Sequence, residues 1–127
     1  MRVSKFDPVS VWNVPKDGSI KDYPPSDFLK TYRFAKWYLM YTDANNSFFL
    51  DLIKIVDLVI LSLRLSPSAK LVLDANILER EFCDEEVKPI SIHILDLNIS
   101  RNTYFKHRDI AISFAEKFIQ DYLNSLD

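Results

Sequence analysis

The chain has 127 residues, of which 48% are hydrophobic and 27% are charged, and its formal net charge is −2 at pH 7. This length supports one hydrophobic core and leaves no room for a second domain, and the composition excludes an intrinsically disordered chain. Gly18 is the only glycine, so phosphate-cradling loops and dinucleotide fingerprints, which need glycine, are nearly excluded. We therefore predict a single globular domain over residues 1–127.

Cysteine content and the apolar stretches of the sequence bear on where the protein works. The single cysteine, Cys83, forbids an internal disulfide, which favours a reducing compartment. Residues 1–15 contain no apolar run long enough for a secretory signal. The stretch from Phe48 to Leu65 is apolar but carries four charged side chains, whose insertion into a bilayer is more unfavourable than the apolar side chains are favourable. We therefore expect a cytoplasmic protein that does not enter a membrane.

The N-terminal segment, residues 1–25, is expected to be a largely irregular arm. It holds four of the six prolines and an Asp-Gly turn signal, and only residues 9–14 offer a short edge strand. Ser26 follows as the N-cap of a first helix, because apolar residues recur at helical spacing from there to about Tyr41.

The second predicted helix runs from about Ser47 to Leu65 and is expected to form the centre of the core. Its charged residues fall in one arc of roughly 140°, and apolar residues fill nearly all the rest of the circumference. The charged residues are Asp51, Lys54, Asp57 and Arg64. The residues assigned to the core are Leu52, Ile53, Val56, Val59, Ile60 and Leu63.

Two later segments carry strand-like patterns. Between Lys70 and Phe82, alternating apolar residues favour a strand, although the apolar residues of this segment fit a helix equally well. Between Val87 and Ile99, three isoleucines alternate with Ser91 and His93 before the phase of the pattern shifts, as a bulged strand or one covered on both faces would require.

A final helix is predicted from about His107 to Leu126, where apolar side chains occupy one half of the helical circumference and polar side chains the other. About three helices and a small sheet together predict an α+β fold in a single domain. A mainly helical bundle is the alternative.

The most unusual cluster is an acidic run between Glu79 and Glu86, which holds five acidic residues against one basic residue. Such a run is either a solvated connector or a negative surface for a basic partner. It lacks the alternating ligands and the turn glycine of a calcium loop, so we assign no metal site to it. The residues that would form the surface are Glu79, Glu81, Asp84, Glu85 and Glu86.

A second candidate surface lies on the first predicted helix, where basic and aromatic residues are interleaved. One side of a helical wheel, opposite the apolar stripe, carries Lys30, Arg33, Lys36 and Trp37. Such a pattern can bind single-stranded nucleic acid, but so few positive charges on an acidic chain would bind phosphate weakly. A contact with a protein, or core packing with lysine side chains that reach solvent, accounts for the pattern more simply. We therefore expect a protein partner and no nucleic-acid partner.

Residues 71–78 resemble the opening strand of the PIN-type magnesium nucleases, in which a hydrophobic strand ends in a metal-binding aspartate. Asp74 stands at that position. The resemblance implies that acidic residues gather Mg²⁺ for phosphodiester cleavage, with Asp74, Glu85, Asp96 and Asp109 as the candidates. Only 49 residues follow this segment, whereas that family builds most of its domain after the strand. The nuclease is therefore kept as an alternative function.

The two histidines and the cysteine do not form a recognisable catalytic set. His93 is expected on the polar face of its strand, and His107 in solvent at the start of the last helix. Cys83 lies among acidic residues, which raise the pKa of a thiol and suppress the thiolate. We therefore assign no catalytic residue, no metal, no cofactor and no enzymatic activity.

A small, slightly acidic single domain, rich in aromatic residues and poor in glycine, resembles the immunity proteins of bacterial toxin systems, including those of contact-dependent growth inhibition. The resemblance implies a protein that binds a cognate toxin domain, such as a nuclease, and neutralises it through acidic residues. On this interpretation the acidic run is the main contact, and Trp12 and Trp37 are aromatic anchors. An adaptor or structural subunit is a further alternative, and an immunity gene is expected directly after a toxin gene.

Overall fold

The computed structural model describes residues 19–126, and every regular element in this range is helical. Two 3₁₀ turns, Ile20–Asp22 and Pro25–Asp27, precede the first α-helix, and a π-helical turn, Glu79–Cys83, extends the third. The α-helices are α1 (Phe28–Tyr41), α2 (Ser47–Arg64), α3 (Ala69–Leu78), α4 (Ile90–Leu97) and α5 (Arg101–Asn124). The predicted strand over 9–14 and the predicted anchor Trp12 lie outside the described residues.

The expected α+β fold is wrong, because both segments with strand-like patterns form helices. In the first segment, α3 buries Asp74, Ala75, Ile77 and Leu78, and the π turn continues the helical path from there. The apolar residues of this segment therefore follow the helical spacing, and their strand-like alternation does not correspond to a strand. No strand occurs between residues 19 and 126, and the architecture is the helical one that was kept as the alternative.

In the second segment, α4 is bounded at both ends by local backbone chemistry. Pro89 directly precedes the first helical residue, where a proline interrupts no intrahelical hydrogen bond. Asn98 adopts a left-handed conformation with φ 55°, and the N–H of Ile99 donates to the carbonyl oxygen of Ile94 at 3.4 Å. This arrangement closes a helix C-terminus, so the alternating isoleucines lie on a helix.

The helix α2 is the centre of the core, with α1, α3 and α5 packed against it. The prediction of a helix beginning at Ser47 is confirmed, and the side-chain oxygen of Asn46 caps it by accepting a hydrogen bond from the N–H of Phe49 at 3.0 Å. Of the six residues assigned to the core, Ile53 is half-buried and the others are buried. The four charged residues of the predicted arc are exposed.

The other helix boundaries differ from the sequence-based expectation. The last helix begins at Arg101, because the hydroxyl of Ser100 caps it by accepting from the N–H of Thr103 at 3.1 Å. The first helix begins at Phe28, so Ser26 is not its cap. Among residues 19–126, no helix combines the length and the apolar content needed to cross a bilayer.

Candidate functional site

The acidic run between Glu79 and Glu86 divides into two parts, and the carboxylates of the first part are engaged by other side chains of the fold. The carboxylate of Glu81 accepts from Nε of Arg108 at 2.6 Å and from the hydroxyl of Tyr104 at 2.8 Å, and its side chain is only 12% exposed. Glu79 forms an ion pair with Arg64. The carboxylate of Glu81 therefore connects the π turn to α5, and that of Glu79 connects it to α2. The structure therefore pairs both carboxylates within the fold: that of Glu81 is nearly buried, and that of Glu79 is at the surface but bound to Arg64.

The second part, Asp84, Glu85 and Glu86, is exposed and is called the acidic segment below. The chain leaves the π turn at Asp84, whose N–H donates to the carbonyl oxygen of Glu79 at 2.8 Å and whose ψ of 143° is extended. Within residues 19–126, none of the three carboxylates forms an ion pair. The acidic segment is the part of the run that can attract a basic partner.

The acidic segment lies beside α1 because Arg33 holds its backbone there. Nε of Arg33 donates to the carbonyl oxygen of Asp84 at 2.5 Å, and a second guanidinium nitrogen donates to the carbonyl oxygen of Arg80 at 3.3 Å. Burial lowers the pKa of the Arg33 guanidinium, although an arginine stays charged at neutral pH. Because Arg33 binds main-chain oxygens, the carboxylate of Asp84 is left available to a partner.

A groove of about 510 Å³, called the α1 groove below, separates the C-terminal half of α1 from the acidic segment. Its apolar wall carries two aromatic side chains and a methionine. The ring centroids of Trp37 and Tyr41 lie 6.0 Å apart, and the wall is exposed, since Tyr41 is 70% exposed and Met40 is 64% exposed. The lining residues are Arg33, Lys36, Trp37, Met40, Tyr41, Cys83, Asp84 and Glu85. The groove thus combines large apolar side chains with carboxylates at one edge.

The structure brings some of the predicted binding residues together and separates others. Arg33 and Trp37 line the α1 groove, whereas Lys30 is exposed on the same helix outside it. Sequence reasoning missed Met40 and Tyr41. They follow Trp37 by three and four residues, and this helical spacing is the signal that could have identified them.

The thiol of Cys83 lies in the lining of the α1 groove but is not a nucleophile at neutral pH. Burial, followed by the nearby carboxylates of Asp57 and Glu79, raises the pKa of the Cys83 thiol to about 12, against the opposing effect of Arg33. The direction agrees with the expectation from the sequence, but burial is the larger cause. Thiolate chemistry is suppressed at this position.

Both histidines are placed differently from the sequence-based expectation. His93 is 2% exposed, not on a polar surface, and its Nδ1 accepts a hydrogen bond from Nε of Arg80 at 3.3 Å. Nδ1 of His107 lies 2.7 Å from Oδ1 of Asp74, and the His107 side chain is 13% exposed, so it is not free in solvent. Each imidazole is therefore committed to an internal contact.

The four acidic residues that the nuclease resemblance implies are not gathered into one site. Asp74 is buried on a helix where the resemblance requires a strand, and Asp96 forms an ion pair with Arg80. Glu85 borders the α1 groove, while Asp109 is exposed on α5. Among residues 19–126, no three His, Cys, Asp or Glu side chains are arranged to hold a metal ion.

Comparison with protein-family models, curated proteins and solved structures yields no match. Over residues 19–126, the fold and the site together define a helical domain with an exposed groove that is apolar on one wall and acidic at its edge.

Proposed function

We propose that this chain is a non-catalytic protein that binds another protein and inhibits it, in the manner of the toxin-immunity proteins that it resembles, and that the α1 groove carries the binding. The observation that carries the proposal is the position of Asp84 and Glu85, which form no ion pair within residues 19–126, next to exposed Met40 and Tyr41. Exposed aromatic and methionine side chains are frequent anchors of protein interfaces.

The charge around the α1 groove favours a basic partner. Arg33 is occupied by two carbonyl oxygens, and the ammonium of Lys36 lies 5.5 Å from the centroid of the Tyr32 ring. The carboxylates of the acidic segment have no comparable internal contact among residues 19–126. Although Arg33 and Lys36 also line the groove, the three carboxylates at its edge attract a positively charged surface and accelerate association.

A role without catalysis is supported by how the reactive side chains are used. A thiol with a pKa of about 12, as at Cys83, supplies almost no nucleophile at neutral pH. His93 and His107 are both hydrogen-bonded within the fold. We place the inhibitor in the cytoplasm, where a single cysteine stays reduced.

The direct test uses the product of the gene that lies immediately upstream of the gene for this chain. We expect the two purified proteins to form a complex, and we expect co-expression of this chain to relieve the growth defect that the upstream product causes. Binding without relief of toxicity would favour the adaptor alternative. The absence of a complex between the purified proteins would contradict the proposal.

A matched pair of variants tests the groove itself. The triple variant Asp84→Asn, Glu85→Gln and Glu86→Gln removes three negative charges from the acidic segment. Because this loss removes the steering, association should slow about tenfold or more at low salt and lose most of its salt dependence.

The control removes the same charge from exposed positions elsewhere, through Asp51→Asn, Asp109→Asn and Asp121→Asn. Equal slowing in both triple variants would show that net charge, and not the acidic segment, drives association.

A further inference from the structure

The side chain of His93 is the main attachment of α4 to the rest of the domain. Within α4 it is the residue that is buried, at 2% exposure, whereas three of the apolar residues are half-buried and the remaining four residues are exposed. The helix packs chiefly against the π turn, where Nε of Arg80 donates to Nδ1 of His93 at 3.3 Å. The attachment of α4 therefore depends in large part on one hydrogen bond between a guanidinium and a buried imidazole.

The direction of this hydrogen bond fixes the protonation state of the ring. Nε of an arginine carries a hydrogen at every physiological pH, so Nδ1 of His93 must accept and the ring must be neutral. Protonation of Nδ1 would remove the acceptor and place an imidazolium against the guanidinium of Arg80. Burial, followed by the charge of Arg80, accordingly lowers the pKa of His93 below 6.5. The contact is therefore favourable at neutral pH and unfavourable in acid.

The other charges around the ring have smaller effects on the pKa of His93 than burial and Arg80 have. Glu81 and Asp84 favour the charged ring, whereas Lys88 opposes it. The carboxylate of Glu81 is already engaged by two side chains of α5. The charged groups around His93 are Arg80, Glu81 and Asp84 on the π turn and at its end, and Lys88 and Asp96 before and on α4.

Arg33 and His93 hold the two ends of the stretch that forms the edge of the α1 groove. Arg33 binds the carbonyl oxygens of Arg80 and Asp84 at one end, and His93 attaches α4 at the other. Residues 85–89 between these two attachments are exposed and form no helix or strand, and Glu85 lines the groove. Loss of the contact at His93 would therefore leave this stretch held at one end only.

We propose that protonation of His93 releases α4 from the π turn and frees Glu85 and Glu86 from the edge of the α1 groove, so that acid weakens the binding of a basic partner. Residues 85–97 then loosen, while Asp84 stays bound to Arg33. The effect on binding rests on the proposed function of the groove. The release is a property of the free chain and does not require that the groove binds another protein.

Hydrogen exchange of the free full chain, measured by mass spectrometry, tests the release without a partner. Protection is expressed relative to the intrinsic exchange rate at each pH, between about pH 7.5 and about pH 5, where carboxylates with ordinary pKa values remain ionised. Protection of residues 90–97 should fall by more than about threefold over this range. A released imidazole with the ordinary pKa of 6.5 sets a ceiling of about thirtyfold at pH 5.

The helix α2 provides the reference within the same samples. Peptides in 47–64 should remain at least about tenfold better protected than 90–97 at every pH, because release of α4 is local and α2 exchanges only when the core opens. Unchanged protection of 90–97 down to about pH 5 would overturn the proposal. Equal protection of 90–97 and 47–64 would also overturn it, since α4 would then leave the domain only by global unfolding.

A matched pair of histidine variants assigns the effect to His93. The side-chain oxygen of asparagine occupies a position close to that of Nδ1, so in His93→Asn it can accept from Arg80 at any pH and the protection of 90–97 should not depend on pH. His107→Asn can still hydrogen-bond Asp74 and should keep the full pH dependence. Equal pH dependence in the two variants would contradict the assignment.

Arg80→Gln decides the matter if His93→Asn fails to hold α4 at neutral pH. A side-chain amide can donate to the neutral ring and accept from the protonated ring, so it favours neither state strongly. The fall in protection of 90–97 between about pH 7.5 and about pH 5 should therefore be smaller than in the wild type. A fall as large as that of the wild type would contradict the proposal.

Discussion

Oδ1 of Asp74 and Nδ1 of His107 lie 2.7 Å apart, and this contact joins the middle of α3 to α5. Asp74 is 1% exposed. Burial raises the pKa of the Asp74 carboxyl above its ordinary range, and the hydrogen bond with His107 opposes this shift without cancelling it. Asp74, a metal ligand only on the nuclease alternative, and His107, expected in solvent, are therefore partners in the packing of two helices.

Loss of the Asp74 carboxylate should destabilise the fold. In Asp74→Ala, Nδ1 of the largely buried His107 loses its partner, and we expect the free energy of unfolding in denaturant to fall by about 1–3 kcal/mol. The exposed Asp51→Ala is the control and should change the value by less than about 0.5 kcal/mol. If the two variants lose the same free energy, the contact between Asp74 and His107 does not stabilise the fold.

Magnesium should not stabilise the folded chain at Asp74, because that carboxylate is already engaged by His107. We expect the thermal-unfolding midpoint to be the same with and without millimolar MgCl₂. A magnesium-dependent rise in the midpoint that disappears in Asp74→Asn would favour the nuclease alternative over the proposed inhibitor.

The buried imidazole of His93 should make stability depend on pH. Its Nδ1 accepts from Arg80, which requires the neutral ring, and burial followed by the charge of Arg80 lowers the pKa of His93 below the ordinary value of 6.5. The charges of Glu81 and Asp84 act in the opposite direction and raise the pKa of His93, whereas Lys88 lowers it.

The sign of the His93 effect follows from proton linkage. Below pH 6.5 the unfolded chain takes up a proton at His93 that the folded chain does not. The free energy of unfolding should therefore fall as the pH decreases from 6.5 through the folded-state pKa of His93. NMR titration of the two histidine rings, assigned with His93→Gln, measures this pKa directly. A midpoint at or above 6.5 for His93 would contradict the account.

Two adjacent residues of α2 test the position of the core. Ile60 is 6% exposed and Leu61 is 49% exposed. Ile60→Ala should lower the free energy of unfolding by about 2–5 kcal/mol, while Leu61→Ala should lower it far less because its side chain already contacts water. Similar losses in the two variants would mean that the helix presents a different side to the core.

The sequence was sufficient to locate α2 because its pattern is long and strongly one-sided. It was not sufficient for α3 and α4, which are short and carry patterns that fit two structures. At α4, the alternating isoleucines favoured a strand, whereas Pro89 and Asn98 mark the two ends of a helix and carry no periodicity. Because Ile92 and Leu95 of α4 are exposed, the assumption that apolar residues face the core also misled the interpretation.

The candidate site could be predicted only in outline. The acidic run and Trp37 were visible in the sequence, and the structure places part of the run beside that tryptophan. The internal partner of Glu81, Arg108, lies 27 positions along the chain, and that of Glu79, Arg64, lies 15 positions along it. No local pattern marks such contacts, so which carboxylates stay free for a partner depended on the tertiary fold.

Hydrogen exchange of the complex with the upstream gene product, measured by mass spectrometry, tests the central claim most directly. Peptides that cover residues 33–41 and 83–88 should become protected when the partner binds, because these segments form the two sides of the α1 groove. Peptides from 115–126, at the far end of α5, should exchange as in the free chain. Protection confined to other segments, with 33–41 and 83–88 unchanged, would show that the partner binds elsewhere and would contradict the account.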